Sequence, residues 1–395
     1  MRAVLEQDAL DQAASGGSLP RQAALQLIEA RGTQLVALMH AASALRDRCT
    51  GNVVTYSRKV FIPLTHLCRD QCAYCTFVRR PSDPRGHTMT PDEVLAVAEA
   101  GRRAGCKEAL FSLGDKPEVR YPSYRRWLAE RGYATTIAYL REMCALVLQE
   151  TGLLPHANPG VMTAEDIAAL RDVTVSMGMM LETTSERLLE KGGAHRGCPD
   201  KVPAIRLAAI EAAGRQRVPF TTGILIGIGE TPAERVDALL AIKEQQDRYG
   251  HIQEVIIQNF RRKGDIRMRG WPEPTMLDML RTIAVARLIF GSTVAVQAPP
   301  NLAPEAYSTY LLAGINDWGG ISPVTLDHIN PERAWPQVAE LRAASADAGF
   351  ALRERTALYP AYVRRMDAFV APRLHARIQE LVDESGLVRR DKENG

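Results

Sequence analysis

Short β-branched or apolar runs alternate with longer helical stretches through the body of this chain, and that alternation narrows its fold more than any other feature. A strand that pairs in parallel with the next must return through a crossover, usually a helix, so repeated strand–helix units imply a parallel sheet covered by helices. Candidate strands fall at residues 60–64, 109–113, 154–157, 174–181, 219–226, 254–259, 293–297 and 314–317. Helix starts are legible. Thr90-Pro-Asp-Glu93 and Thr231-Pro-Ala-Glu234 each combine an N-cap Thr, a Pro at the first helical position and a Glu at the third. Thr163-Ala-Glu-Asp166 and Asn330-Pro331 are weaker forms of the same signal. The fold class is α/β, and a closed (βα)8 TIM-type barrel is expected; the alternative is a partial (βα)6 barrel with a C-terminal appendage.

The chain has 395 residues, a length that α/β barrels fill as one domain. Residues 56–365 are assigned to the barrel. Residues 1–55 read as a helical extension: Leu25, Leu27, Ile28, Leu35, Leu38, Met39 and Leu45 suit two amphipathic helices broken near Gly32, packed on the barrel's bottom or flank. Residues 366–395 read as a C-terminal helix and a charged, fraying tail.

Charge excludes more than it suggests. With 49 basic against 46 acidic residues, interspersed along the chain, nothing points to nucleic acid or an anionic membrane as partner. No apolar stretch approaches the roughly 20 residues of a membrane span. The N-terminus turns acidic before an apolar leader could form. The cysteine count is seven, an odd number, which points to a reducing cytosol. Cys49, Cys106, Cys144 and Cys198 are scattered and read as ordinary thiols.

The other three, Cys68, Cys72 and Cys75, follow the first candidate strand in the run Pro63-Leu-Thr-His-Leu-Cys-Arg-Asp-Gln-Cys-Ala-Tyr-Cys-Thr-Phe77. Three thiols at this spacing can hold three irons of a cubane cluster and leave the fourth open. The competing reading is a Cys3His zinc site completed by His66. Structural zinc sites usually draw ligands from two separated pairs, whereas all four candidates here lie in one loop. The spacing, with Tyr74 just before the last cysteine, resembles the signature of the radical S-adenosylmethionine (SAM) enzymes, whose open iron chelates the amino and carboxylate groups of SAM.

In a (βα)8 barrel the working groups sit at the C-terminal ends of the strands. The second candidate strand ends in Ser112-Leu-Gly-Asp-Lys-Pro-Glu118. This resembles the family's SAM-amino motif, with Gly114 and Asp115 facing the methionine ammonium. The fourth delivers Glu182, placed to accept hydrogen bonds from ribose hydroxyls or substrate. The fifth ends in Thr222-Gly-Ile-Leu-Ile-Gly-Ile-Gly-Glu230, which resembles the segment that packs on the adenine; Ile226 is the residue assigned to that contact. Arg206 is the candidate partner of the SAM carboxylate, because guanidinium binds carboxylate as a planar fork. His195, in a glycine-rich loop, is a candidate catalytic group beside Glu182. Later strands end in Gln258-Asn259, Gln297-Ala-Pro-Pro-Asn301 and Asn316-Asp317, amides that suit a uracil or polyol.

Together with Gly193-x-His195, Pro199-Asp-Lys201 and Asp317-Trp-Gly-Gly-Ile-Ser-Pro323, these motifs resemble one family from about residue 55 to about residue 365: the CofG-type subunits of 7,8-didemethyl-8-hydroxy-5-deazariboflavin (FO) synthase. The resemblance implies a [4Fe–4S] cluster on Cys68, Cys72 and Cys75, SAM lined by Tyr74, Gly114, Asp115, Glu182, Arg206 and Ile226, and cleavage of SAM to methionine and 5′-deoxyadenosine. It implies a lyase of coenzyme F420 biosynthesis that closes the deazaflavin ring of a hydroxybenzyl–ribitylaminouracil adduct with loss of ammonia. It further implies an electron donor and a CofH-type partner that makes the adduct. With one cysteine triad, the chain reads as a free-standing subunit or as the first half of a fusion. Rival readings are a CofH-type or menaquinone-pathway radical SAM enzyme, and a non-catalytic metal-stabilised or electron-carrier protein.

Overall fold

The computed structural model describes residue 10, residues 15–17 and residues 19–390. The N-terminal leader reading and the tail at 391–395 lie outside the described residues.

Among the described residues the first helices given in full are α1 (Arg21–Leu27) and α2 (Thr33–Thr50), separated at Gly32, whose φ of +54° suits a residue without a Cβ. Strand–helix units follow: β1 (Val53–Thr65), α3 (Pro91–Arg103), β2 (Glu108–Leu113), α4 (Thr136–Thr151), β3 (Leu154–Asn158), α5 (Ala164–Arg171), β4 (Ser176–Gly178), α6 (Pro203–Arg215), β5 (Phe220–Ile226), α7 (Pro232–Tyr249), β6 (Ile252–Asn259), α8 (Met276–Phe290), β7 (Ala295–Gln297) and β8 (Asp317–Ile321). After these come α9 (Val338–Asp347), β9 (Ala351–Arg355) and, near the C-terminus, α10 (His375–Leu381). All strand pairings among β1 to β8 are parallel, and β1 pairs with both β2 and β8, so the sheet closes into an eight-stranded barrel. The partial-barrel alternative is therefore set aside.

Local chemistry explains the helix boundaries. Thr90, Thr163 and Thr231 each form the reciprocal capping box their sequences predict, and Thr275 with Asp278 forms another that the sequence reading passed over. Asn330-Pro331 starts no helix. Asn330 instead donates to Asp327 Oδ2 at 2.9 Å inside a loop, and α9 begins eight residues later at Val338. α2 lies along α8, and α1 against α7, which puts the N-terminal helices on the barrel's flank.

Strand bounds depart from expectation where tertiary pairing decides them. β1 begins seven residues before the expected start at 60, because residues 53–57 pair in parallel with β9, a strand the sequence reading did not foresee. The eighth strand runs from Asp317 to Ile321 instead of 314–317; Gly314, at φ +100°, belongs to the turn before it.

Residues 355–359 then cross beneath the barrel and close its lower end. Ala357 O accepts from Ser176 Oγ (3.2 Å) and Gln253 Nε2 (3.0 Å). The buried Arg355 guanidinium forks onto Asp317 at 2.6 and 2.8 Å, donates to Tyr359 Oη at 2.6 Å and lies 3.5 Å from Glu254. Burial opposes its charge, but Asp317 and Glu254 raise its pKa. Among the described residues no helix is long and apolar enough to cross a membrane.

Removing one member of a buried ion cluster leaves the others uncompensated. Arg355→Ala should therefore lower stability to denaturant by about 3–5 kcal/mol. Arg21→Ala, which breaks an exposed pair with Asp237, should change it by less than about 1 kcal/mol.

Candidate active site

The cysteine loop is fastened to the tops of its neighbours by backbone. Gly114 N donates to Thr65 O (3.0 Å), Arg69 N to Asp115 O (2.9 Å) and Ala73 N to Ala194 O (2.8 Å). A Cβ on Gly114 would stand 1.9 Å from Leu67 O and 2.6 Å from Cys68 Cβ, so only glycine lets the loop lie this close to β2. Asp115 N in turn donates to Cys68 Sγ at 3.2 Å. Cys68 is buried, Cys72 and Cys75 half-buried, and all three line one cavity of about 310 Å³ at the upper end of the barrel. Burial pushes the Cys68 and Cys75 thiols up, while a hydrogen bond with Cys198 pulls Cys72 down.

The donor spacing separates the two metal readings. Sulfurs sharing one tetrahedral zinc lie about 3.8 Å apart, from a Zn–S bond of about 2.3 Å. Among the described residues the only His, Cys, Asp or Glu group of three whose ligand atoms all fall within 4.8 Å is Asp70, Asp115 and Asp200. The three thiols therefore do not crowd together as one shared ion would require. His66 is turned away: its ring lies 4.8 Å from Phe77, its Nδ1 is 3.4 Å from His87 O, and it does not line the cavity.

Beside the thiols the same wall carries charge of both signs. Lys201 Nζ is 2.6 Å from Glu182 Oε1. Burial raises the Glu182 pKa and lowers that of Lys201, but the pair and Arg206 leave Glu182 below its usual range and Glu182 holds Lys201 above its own. Glu182 sits at φ +70°, a left-handed conformation costly for a residue with a side chain. The Arg206 guanidinium donates to Met180 O (2.7 Å) and Asp200 O (2.9 Å), which engages three of its N–H groups counting a second, shorter bond to Met180 O. Asp115 Oδ2 accepts from Val161 N at 2.9 Å, whereas its Oδ1 is buried without a partner. Burial, then Asp200, pushes this carboxyl up to about 7. A buried acceptor with no donor is what an ammonium ligand would satisfy, and free guanidinium N–H groups suit a carboxylate.

The structure brings together Cys68, Cys72, Tyr74, Cys75, Gly114, Asp115, Glu182 and Arg206 on one wall. Two assigned residues stand off it. Ile226 is fully buried in the apolar core behind β5, while Thr221 and Leu225 face the barrel interior; side chains alternate along a strand, so an odd-numbered face excludes position 226. His195 lies behind Tyr74, whose Oη is 3.0 Å from His195 Nε2. Burial, then Lys201, holds that imidazole down to about 3, so it is neutral.

Asp70, Lys201 and Lys263 share the wall but were not singled out from sequence; Lys201 lies in a motif that was noted without a role. More was missed below them. Across Ser112, Asn158, Ile256 and Gln258 the cavity abuts a second chamber of about 180 Å³ inside the barrel, lined by Lys59, Glu108, His156, Glu254 and Gln297. The available signal was polar residues on one face of otherwise apolar strands: Glu108 and Ser112, four apart with Leu110 between them on the same face, and likewise His156 and Asn158.

Residues 62–242 match the Radical SAM superfamily. The chain is 52% identical over 394 residues to the FO synthase of Streptomyces coelicolor, an alignment that covers 97% of this chain and 45% of that protein. It is 51% identical over 341 residues to the 7,8-didemethyl-8-hydroxy-5-deazariboflavin synthase of Methanopyrus kandleri, covering 85% of this chain and 100% of that protein. The chain thus spans about half the length of the FO synthases it matches. Among solved structures, the FeFe-hydrogenase maturase HydG of Carboxydothermus hydrogenoformans superposes with a TM-score of 0.71 at 16% identity, covering 96% of this chain and 90% of that one. Methylornithine synthase (PylB) gives 0.69 at 20%, covering 87% and 97%. At these identities the likeness bears on the fold.

Replacing Cys68, Cys72 or Cys75 by Ala should abolish iron and sulfide binding in anaerobically reconstituted protein, and Gly114→Ala should do the same although it removes no ligand. His66→Ala and Cys144→Ala should retain both elements near the wild-type content. Zinc without sulfide in the wild type would restore the mononuclear reading.

Proposed function

We propose the activity of this chain from its membership: it belongs to the radical SAM superfamily and, within it, to the family of 7,8-didemethyl-8-hydroxy-5-deazariboflavin synthases. It acts as a lyase of deazaflavin biosynthesis. It converts 5-amino-5-(4-hydroxybenzyl)-6-(D-ribitylimino)-5,6-dihydrouracil to FO with release of ammonia, SAM ending as methionine and 5′-deoxyadenosine. One observation carries the reading: three cysteines and a set of opposed charges line one cavity, and a polar inner chamber abuts it across shared lining residues.

Cys68, Cys72 and Cys75 would hold a [4Fe–4S] cluster, which together with SAM would supply the radical chemistry that the reaction needs. The chain's own groups bind and orient. Asp115 Oδ1 accepts from the SAM ammonium beside Gly114, and the unengaged N–H groups of Arg206 face the carboxylate. Glu182, kept ionised by Lys201, accepts from ribose hydroxyls. Tyr74, Leu225 and Phe260 offer apolar walls to the adenine. His195 is a positioning residue: its hydrogen bond holds the Tyr74 ring in place. The enclosed barrel excludes water and other quenchers from the reacting carbon.

The substrate comes from a CofH-type partner that joins a tyrosine-derived hydroxybenzyl group to 5-amino-6-ribitylaminouracil, and the electron comes from a reducing donor in the cytoplasm. The FO synthases, about twice as long as this chain, have room for both steps. Given SAM, reductant and the adduct under anaerobic conditions, this chain should form fluorescent FO. From tyrosine and the free diaminouracil it should form none until a CofH-type partner is added. FO made from tyrosine by this chain alone would refute the division of labour.

A further inference from the structure

The interior of a parallel barrel is ordinarily filled by layers of branched apolar side chains. Here the inward positions beneath the thiol-lined cavity carry Lys59, Glu108, His156, Thr221, Glu254 and Gln297, and they enclose a chamber instead of filling it. Glycines make the room. A Cβ on Gly178 would stand 2.9 Å from His156 Nε2, one on Gly319 2.4 Å from Gln297 Nε2, and one on Gly320 2.2 Å from Lys59 Cε.

The cations in this layer are already engaged. Lys59 Nζ is 2.7 Å from Glu108 Oε1, and Glu254 receives Thr221 Oγ1 at 2.9 Å beside Arg355. An anionic guest would therefore find no free cation and lose its hydration without a partner. What remains is hydrogen-bonding capacity. Gln297 is 4% exposed and its Oε1 has no partner. Ser176 donates its proton to Ala357 O, so its oxygen accepts His156 Nδ1–H at 2.7 Å and leaves His156 Nε2 as an acceptor. Carboxylates accept more than one bond each. Hydroxyl groups both donate and accept, so an uncharged chain of hydroxyls meets such a wall best.

We propose that this lower chamber is the subsite for the acyclic polyol of the substrate, its hydroxyls paired with Glu108, His156, Glu254 and Gln297. The uracil then lies level with Ser112, Asn158 and Gln258, and the reacting carbons face the thiols. This rests on the functional reading above and deepens it by fixing which end of the molecule enters first. Binding energy gathered by the unreactive chain holds the reactive end in place.

The test titrates anaerobically reconstituted protein, with SAM, against the adduct and against an analogue carrying methyl in place of ribityl, while deoxyadenosine and FO are followed in parallel. The wild type should bind the ribityl compound at least about tenfold more tightly. Gln297→Leu and His156→Leu, on separate strands, should each weaken the ribityl compound selectively and bring the ratio toward unity, leaving affinity for the methyl analogue unchanged. Equal affinities in the wild type, or variants that weaken both compounds alike, would overturn the assignment. A ratio that depends on these residues without any deoxyadenosine or FO would uphold the polyol subsite and overturn the deazaflavin reading instead.

Discussion

A charge inside a closed barrel must find its partner there, because the wall leaves it little water. That constraint organises the interior from floor to mouth. At the floor Arg355 answers Asp317 and Glu254; one level up, Lys59 answers Glu108. Near the mouth Lys201 answers Glu182 and Arg69 answers Asp200. With these ions paired, unsatisfied polar atoms of the lining residues stand out. Asn259 Oδ1 and Arg261 Nε are among them, as are Asp115 Oδ1 beside the thiols and Gln297 Oε1 in the lower chamber. The last two are acceptors at opposite ends, one fit for a cation and one for a neutral donor.

Backbone geometry at the mouth follows from the same need to aim polar groups inward. β4 is three residues long, ending at Gly178, where the sequence suggested a strand to residue 181. The chain leaves the strand so that Glu182 can take its left-handed conformation, which costs about 1–3 kcal/mol. Compensation is visible: Glu182 N donates to Gly223 O and Glu182 O accepts from Leu225 N, each at 3.0 Å, and Lys201 holds the side chain. A smooth strand would have spared the strain and placed the carboxylate elsewhere.

What the sequence makes legible is local. Capping boxes at Thr90 and Thr231 involve neighbours three residues apart, and the thiols share one loop, so both can be read without knowing the fold. β9 could not, because its stability comes from pairing with residues some 300 positions away. Ile226 shows how narrow the margin is within a strand: its neighbour Leu225 lines the cavity, but one residue of phase sends the Ile226 side chain into the core behind it. The lower chamber was hidden for a different reason. Lys59, Glu108 and His156 alternate with apolar neighbours as they would on a sheet with one wet face, and only closure of the barrel turns that face inward.

Closure of the mouth joins the two halves of the cavity. Residues 322–335 fold across the top, and the carbonyl of Ile329 accepts from Thr76 Oγ1 of the cysteine loop (2.6 Å) and from Lys263 Nζ beyond β6 (2.9 Å). The same segment reaches down to β1, where Thr325 Oγ1 accepts from Phe61 N at 3.0 Å and Trp335 stacks on the Phe61 ring at 5.2 Å. Ile329 and Asn330 line both the thiol cavity and the chamber below it. The segment that covers the cysteine loop therefore also covers the lower chamber, and a single carbonyl, that of Ile329, ties it both to the cysteine loop and to the chain beyond β6.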